Sequence, residues 1–342
     1  MQDIRKLSLP ELTDWFKSQG QQTFRAKQVY AWLWQKSAID FDAMTNLSLT
    51  LREQLKSSFE IRPIRVYKEQ FSNDGTIKTA FKLYDDKLIE GVMIPVEGRA
   101  TACVSSQVGC SLGCKFCATG FLTRERNLDP AEIYDQVVAI RDQALENMGQ
   151  PLTNIVYMGM GEPLLNYANV LQSIERITSP DGLGMSPKRI TVSTAGIAKM
   201  IKKLGDDQVK FNLALSLHAA NDEKRLKLMP INEHNNLEVL VEALNYFYDK
   251  TGNKITFEYV LLNEVNDTIQ DAKEVAELCK RVPAKVNILE YNEVEGAPFT
   301  KTKAEQRDRF VGYLEKHRVI ANVRKSRGKD IDAACGQLAN KG

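Results

Sequence analysis

The chain reads as an α/β protein, an incomplete (β/α)6-type barrel preceded by a helical segment and a small antiparallel β extension. Three observations carry that reading. From residue 101 onward, short apolar stretches alternate with longer amphipathic ones. Residues 63–97 alternate apolar and polar positions between turn signals, and residues 1–62 show helical periodicity only. A length of 342 residues suits two domains, or one large domain with an appendage, here 1–62, 63–97 and 98–342.

In the first segment, Ser8 and Glu11 form a capping-box pattern ahead of LTDWF. FRAKQVYAWLWQK gathers Val29, Ala31, Trp32 and Leu33 on one side, and LTLREQLKSSF supplies a third helix. The aromatics here are expected to form the segment's own core. IRVYKEQFS, TIKTAFKLYD and KLIEGVMIP then read as three strands, separated by Asn73-Asp74-Gly75 and Asp85-Asp86. Core strands are expected at TACVSSQ, NIVYMGM, RITVSTA, KFNLALSLH, KITFEYVLL, KVNILEY and VIANVRK, with helices near 130–148, 166–178, 196–204, 236–250, 267–281 and 303–316. Such alternation implies βα units on a parallel sheet, six or seven of them, fewer than a closed barrel needs.

Composition excludes several classes. Hydrophobic content of 43% and charged content of 26% are those of an ordinary globular protein. MQDIRKLSLPELTDW lacks a signal-peptide pattern, and no stretch approaches the ~20 apolar residues of a membrane span. A cytoplasmic protein with no membrane partner is expected. The net charge of +2 announces no nucleic acid. Residues 301–342, however, hold eleven Lys and Arg against five Asp and Glu, with Arg324, Lys325, Arg327 and Lys329 close together. That run is a solvated strand and loop, unless a site beside it makes it a phosphate-facing patch.

Three of the six cysteines lie within eight residues, which points to metal rather than a disulfide framework. Cys110-x3-Cys114-x2-Cys117 follows the first core strand on the loop GCSLGCKFCATG, at the strand end where α/β barrels place their sites. Thiolates suit iron–sulfur clusters and zinc. A structural zinc ion normally takes four ligands, so a zinc knuckle would need distant Cys335 or His218. Three ligands on a cubane cluster leave one iron open to another molecule. The spacing resembles that of the radical SAM superfamily. The resemblance implies a [4Fe-4S] cluster whose open iron takes S-adenosylmethionine (SAM), cleaved to a 5′-deoxyadenosyl radical, with Phe116 packing near the adenine.

Other stretches narrow the match. CVSSQVGCSLGCKFCATG, MGMGEPLLN, SLHAAND, MPIN and RGKDIDAACGQL, in this order, resemble the RlmN/Cfr family of adenosine methyltransferases. Gly159, Gly161 and Glu162 end the second core strand, where glycines would let the backbone approach a ligand and Glu162 could hold an ammonium. Ser193 ends the third strand, Ser216, Leu217 and His218 the fourth, and Asn292 follows the sixth, so polar groups converge at one end of the sheet. By resemblance these positions contact SAM.

The resemblance also assigns chemistry to residues that would otherwise pass as buried and inert. It implies that Cys335 takes a methyl group from one SAM and that a second SAM activates that methyl, two per turnover. Cys103 would then release the RNA adduct through a transient disulfide. Glu90 interrupts the apolar strand LIEGVMI, so its pKa is expected to rise, and the resemblance makes it the proton acceptor. Whether Glu90 or Cys103 takes the ring proton stays open. Cys279, at helical spacing with Ala272, Val275 and Ala276, is expected in the core.

The function so implied is methylation of carbon 2 of a specific adenosine in 23S rRNA and of the adenosine 3′ to the anticodon in tRNA. The cationic run, the first 62 residues, and Arg124 and Arg126 are candidate RNA contacts, the two arginines equally candidate salt-bridge partners. A flavodoxin- or ferredoxin-like electron donor and a monomeric state complete the expectation. Rival readings are Cfr-type methylation of carbon 8, an RNA-binding protein with a structural metal cluster, and a glycyl-radical activase.

Overall fold

A computed structural model describes residues 1–340. Its framework is one ten-stranded sheet of order β14-β13-β12-β11-β10-β9-β6-β5-β4-β3. The parallel part comprises β6 (Arg99–Cys103), β9 (Leu152–Tyr157), β10 (Ile190–Thr194), β11 (Asn212–Ser216), β12 (Ile255–Leu261), β13 (Ala284–Glu290) and β14 (Ala321–Arg324). Helices α4 (Pro130–Met148), α5 (Tyr167–Thr178), α6 (Ala198–Asp206), α8 (Leu237–Thr251), α9 (Ile269–Arg281) and α10 (Ala304–Lys316) make its crossovers. The sheet is open, with β14 and β3 at its edges, as six crossover units require.

The strands β3 (Arg65–Phe71), β4 (Ile77–Lys82) and β5 (Leu88–Val96) do not form a separate small sheet. They are antiparallel to one another, and β5 pairs antiparallel with β6 around Gly98, whose φ is +66°. The extension therefore lengthens the barrel sheet directly. Ladder hydrogen bonds left free along β6 would otherwise be an exposed edge, and β5 satisfies them.

The first 62 residues fold into α1 (Leu9–Ser18), α2 (Phe24–Trp34) and α3 (Leu49–Ser58), with β1 (Gln2–Asp3) pairing β2 (Phe59–Glu60). The capping box of Ser8 and Glu11 forms as the pattern requires. Their core is not private. Trp34 is buried edge-on against Tyr134 of α4 at 5.1 Å, and the Tyr134 hydroxyl donates to the Trp34 carbonyl. Arg5 donates twice to Asp135 of α4, at 2.8 and 2.9 Å, and also pairs with Asp3. Apolar and ionic contacts thus join these helices to the barrel.

One helix escaped the periodicity reading. α7 (Asp222–Leu228) has seven residues, DEKRLKL, too few and too charged to show an apolar stripe. Cys279 packs at the margin of the main core, as its helical spacing implies.

Candidate active site

The site is built at the carboxyl ends of the parallel strands. Beyond β6 the chain runs through Val104–Gln107 and then forms the cysteine loop, braced by β7 (Gln107–Val108) against β8 (Arg126–Asn127). The loop can fold back only through glycine. Gly109 has a φ of +72°, and a Cβ there would lie 2.1 Å from the Thr123 carbonyl oxygen. Cys110, Cys114 and Cys117 line an open cavity.

Successive strand ends complete the lining. Glu162, Ser193, Ser216 and His218 face the same cavity. Glu162 is buried, its Oε1 accepting from the Leu164 amide at 3.0 Å and its Oε2 from the Ala195 amide at 2.7 Å. Burial raises its pKa above the usual carboxylate value, against the pull of those donors. His218 accepts from the Val260 amide through Nδ1 at 3.0 Å and meets the Phe116 ring edge-on at 4.6 Å. Burial, with help from Arg225, pushes its pKa down to about 3, so the imidazole is neutral.

The other expected positions divide between the cavity lining and the packing behind it. Gly159 and Gly161 line the cavity and are also packed closely from behind. A Cβ on Gly159 would lie 2.7 Å from Ser105 Oγ, and one on Gly161 2.5 Å from Gln107 Cβ, so the glycines admit the chain's own 104–107 segment. Leu217 sits off the cavity, its side chain in the main apolar core. Asn292 is likewise not on the wall; it is buried and donates to the Cys335 carbonyl at 3.4 Å.

Cys335 and Gly336 reach the cavity from the last segment of the described chain. The Ala118 amide donates to the Gly336 carbonyl at 2.7 Å, and Thr119 Oγ1 to the Leu338 carbonyl at 2.6 Å, so this segment is stitched to the cysteine loop. The Cys335 side chain keeps solvent contact through the cavity. Its crowded walls push the thiol up to about 11, with the Glu258 and Cys117 charges adding to the effect of burial. Cys103 ends β6, is buried, and is raised by burial and by the nearby Cys335. Both are free thiols.

Glu90 lies outside the cavity lining. It is buried, but not alone: Lys78 Nζ lies 3.5 Å from Oε1, and Oε2 accepts from the Ala339 and Asn340 amides at 2.9 and 3.2 Å. The carboxylate thus grips the segment that carries Cys335.

Arg126 takes the salt-bridge alternative, pairing with Asp85 and Glu132 at 2.7 and 2.8 Å. Arg124 is exposed. Of the cationic run, Lys329 pairs with Glu290 of the cavity wall at 2.7 Å, whereas Arg324 and Lys325 are exposed; Lys341 lies outside the described residues. Glu258 and Arg225 were not anticipated. Glu258 lies on the cavity wall and interrupts an apolar strand, the same signal that revealed Glu90. Arg225 carried no signal, because DEKRLKL looks like a solvated helix.

The donor set fits a cluster. Among the described residues no three Cys, His, Asp or Glu side chains close around a single ion, as a zinc knuckle would require. Three thiols lining one open cavity instead suit a body several atoms wide, and bound metal would deprotonate them. No helix among the described residues is long and apolar enough to cross a membrane.

Comparison with known proteins bears on the same residues. Residues 2–61 match the model of the ribosomal RNA large subunit methyltransferase N-terminal domain, and residues 104–279 that of the radical SAM superfamily. A Cytophaga hutchinsonii protein described as "Probable dual-specificity RNA methyltransferase RlmN" is 58% identical over 99% of this chain and 93% of its own. A Myxococcus xanthus "Dual-specificity RNA methyltransferase RlmN 2" is 44% identical over 99% of this chain and 91% of its own. The crystal structure of a radical SAM methyltransferase from Sphaerobacter thermophilus superposes with a TM-score of 0.93 at 40% identity, over 99% of each chain.

Proposed function

The chain belongs to the RlmN family of radical SAM RNA methyltransferases, and from that premise we propose how its residues divide the work. The activity is methylation of carbon 2 of an adenosine in 23S rRNA and tRNA. Relatives described as dual-specificity enzymes support this over the carbon-8 alternative.

One observation carries the assignment of roles: Cys335 and the three loop cysteines face a single cavity. Cys110, Cys114 and Cys117 would hold the [4Fe-4S] cluster. Together with SAM it supplies a hydrogen-abstracting radical, which a ring carbon without a nucleophilic lone pair requires. Glu162, Ser193 and Ser216 present oxygens, and the neutral His218 and Phe116 an aromatic corner, to that ligand. Cys335 is the methyl carrier, converted to S-methylcysteine by one SAM and activated by a second. Asn292 donates to its carbonyl, and the Ala118 amide to that of Gly336 beside it. Cys103, within electrostatic reach of Cys335, releases the product by forming a transient disulfide that a thiol reductant resets.

Glu90 remains the proton acceptor by resemblance, and its contacts give it a second task, tethering the Cys335 segment. Exposed Arg324 and Lys325 and the helices of residues 1–62 would meet RNA phosphates, in the cytoplasm where both RNAs reside. A flavodoxin- or ferredoxin-like donor would reduce the cluster of a monomeric enzyme. The decisive experiment is peptide mass spectrometry of the full chain produced with iron, sulfide and SAM. Cys335 should gain one methylene; an unmodified Cys335 in cluster-loaded protein would overturn the carrier role.

A further inference from the structure

Arg225 has no exposed surface, and every hydrogen bond it makes goes to a neutral oxygen. Its partners are the carbonyls of Ala195 (2.6 Å), Ser216 (3.2 Å), Leu217 (3.2 Å) and Asn235 (3.5 Å), and Oδ1 of Asn232 (2.7 Å). No carboxylate oxygen is among them. The carboxylate that acts on it, Asp222, stands behind Asn232, whose Nδ2 donates to Asp222 Oδ1 at 2.9 Å. A buried cation without a direct ion pair is stabilised by any further anion close by in the working state.

The surroundings identify that anion. Arg225 belongs to α7, which lies under the cysteine loop: the Lys115 amide donates to the Leu228 carbonyl at 3.0 Å. Leu228 and Met229 share an apolar cluster with Leu112, Cys114 and Phe116. Ala195 and Ser216, whose carbonyls the guanidinium holds, line the same cavity as Cys110, Cys114 and Cys117. The other basic group nearby, His218, is neutral and cannot substitute.

We propose that Arg225 is the buried counter-charge of the metal-binding thiolates, a positioning residue that clamps the ends of β10 and β11 and whose fixed charge favours reduction of the cluster. This rests on the radical SAM reading. Three thiolates already surround the cluster with negative charge, and one more electron adds to it. A cation held in a dry, low-dielectric site offsets that charge without reorganising, and net charge is among the terms that set iron–sulfur potentials. The clamp and the charge act together. The carbonyls that Arg225 gathers belong to the strand ends carrying Ser193, Ser216 and His218, so SAM-facing groups and cluster potential depend on one side chain.

The test is an EPR-monitored redox titration of the reconstituted full-length chain. Arg225→Gln is expected to lower the ratio of reduced to oxidised cluster at a fixed potential about tenfold, ~59 mV for a one-electron couple. Arg225→Lys, which keeps the charge, should restore most of that loss. Asn232→Ala removes one acceptor and leaves the charge, so it should titrate with wild type. An unshifted Arg225→Gln, or an Asn232→Ala shifted equally, would overturn the proposal. If Arg225→Gln fails to retain its circular dichroism spectrum and iron content, Asn232→Asp sets a carboxylate against the guanidinium and should give the same negative shift; no shift there sinks it equally. A wild-type chain that takes up no cluster would instead overturn the radical SAM reading on which the proposal stands.

Discussion

Cys335 and Cys103 differ in access, one opening on the cavity and the other buried at the end of β6, so their loss should arrest turnover at different points. Cys335→Ala is expected to keep its cluster and its RNA affinity while nucleoside mass spectrometry finds no 2-methyladenosine. Cys103→Ala should still attack RNA but fail to release it, leaving a covalent protein–RNA band on a denaturing gel. His218 makes a pH prediction. Its folded pKa, pushed down to about 3 from 6.5, means that the unfolded chain binds a proton the folded one refuses. The stability it contributes is therefore present above pH 6.5 and lost as pH falls toward 3, with a limiting slope of ~1.4 kcal/mol per pH unit. Urea titrations at several pH values should show a shallower acid limb for His218→Asn. The cluster cysteines were legible because their spacing is itself the signal. Glu258 had the same signal as Glu90, an acid inside an apolar strand. Arg225 was not legible, since burial of one arginine in a short charged helix is decided wholly by what packs on it.

Helices and strands followed their local chemistry closely, from the Ser8–Glu11 cap to the expected 130–148 helix, which is observed as Pro130–Met148. What periodicity could not reveal was which neighbour each turn touches. The glycines after β9 illustrate this: they line the cavity, and on their other side they press against Val104–Gln107. Gly159→Ala should therefore act through packing. Its Cβ would meet Ser105 Oγ at 2.7 Å and the Val104 backbone at 2.8 Å. We expect a loss of about 1–3 kcal/mol in stability by denaturant unfolding, because backbone on one side cannot yield. Iron content per chain should fall with it, since Ser105 donates to the Glu90 carbonyl and accepts from the Met160 amide, tying the cysteine strand to the strand-end turn.

The molecule is held as one body by contacts that no local pattern discloses. Arg5 and Asp135 are 130 positions apart, and each is an unremarked charge on an amphipathic segment. Asp135→Ala leaves Arg5 buried beside Asp3 alone, and the expected cost is ~3–5 kcal/mol in urea unfolding, with earlier proteolytic release of residues 1–62. The tether at Glu90 works over a still longer span. Glu90→Gln should raise amide hydrogen exchange at Ala339 and Asn340 and slow methylation, while cluster content stays at the wild-type level. The same tether orders events in time. Asp330 is held by Ser72 and Asn73, and Ala339 and Asn340 by Glu90, across separations of 249 to 258 residues. Loops of that length close late, after the locally connected strands have paired. On the ribosome the three cluster cysteines emerge long before Cys335. Until that last segment docks, the cavity stands open on the side that Cys335 and Gly336 come to line.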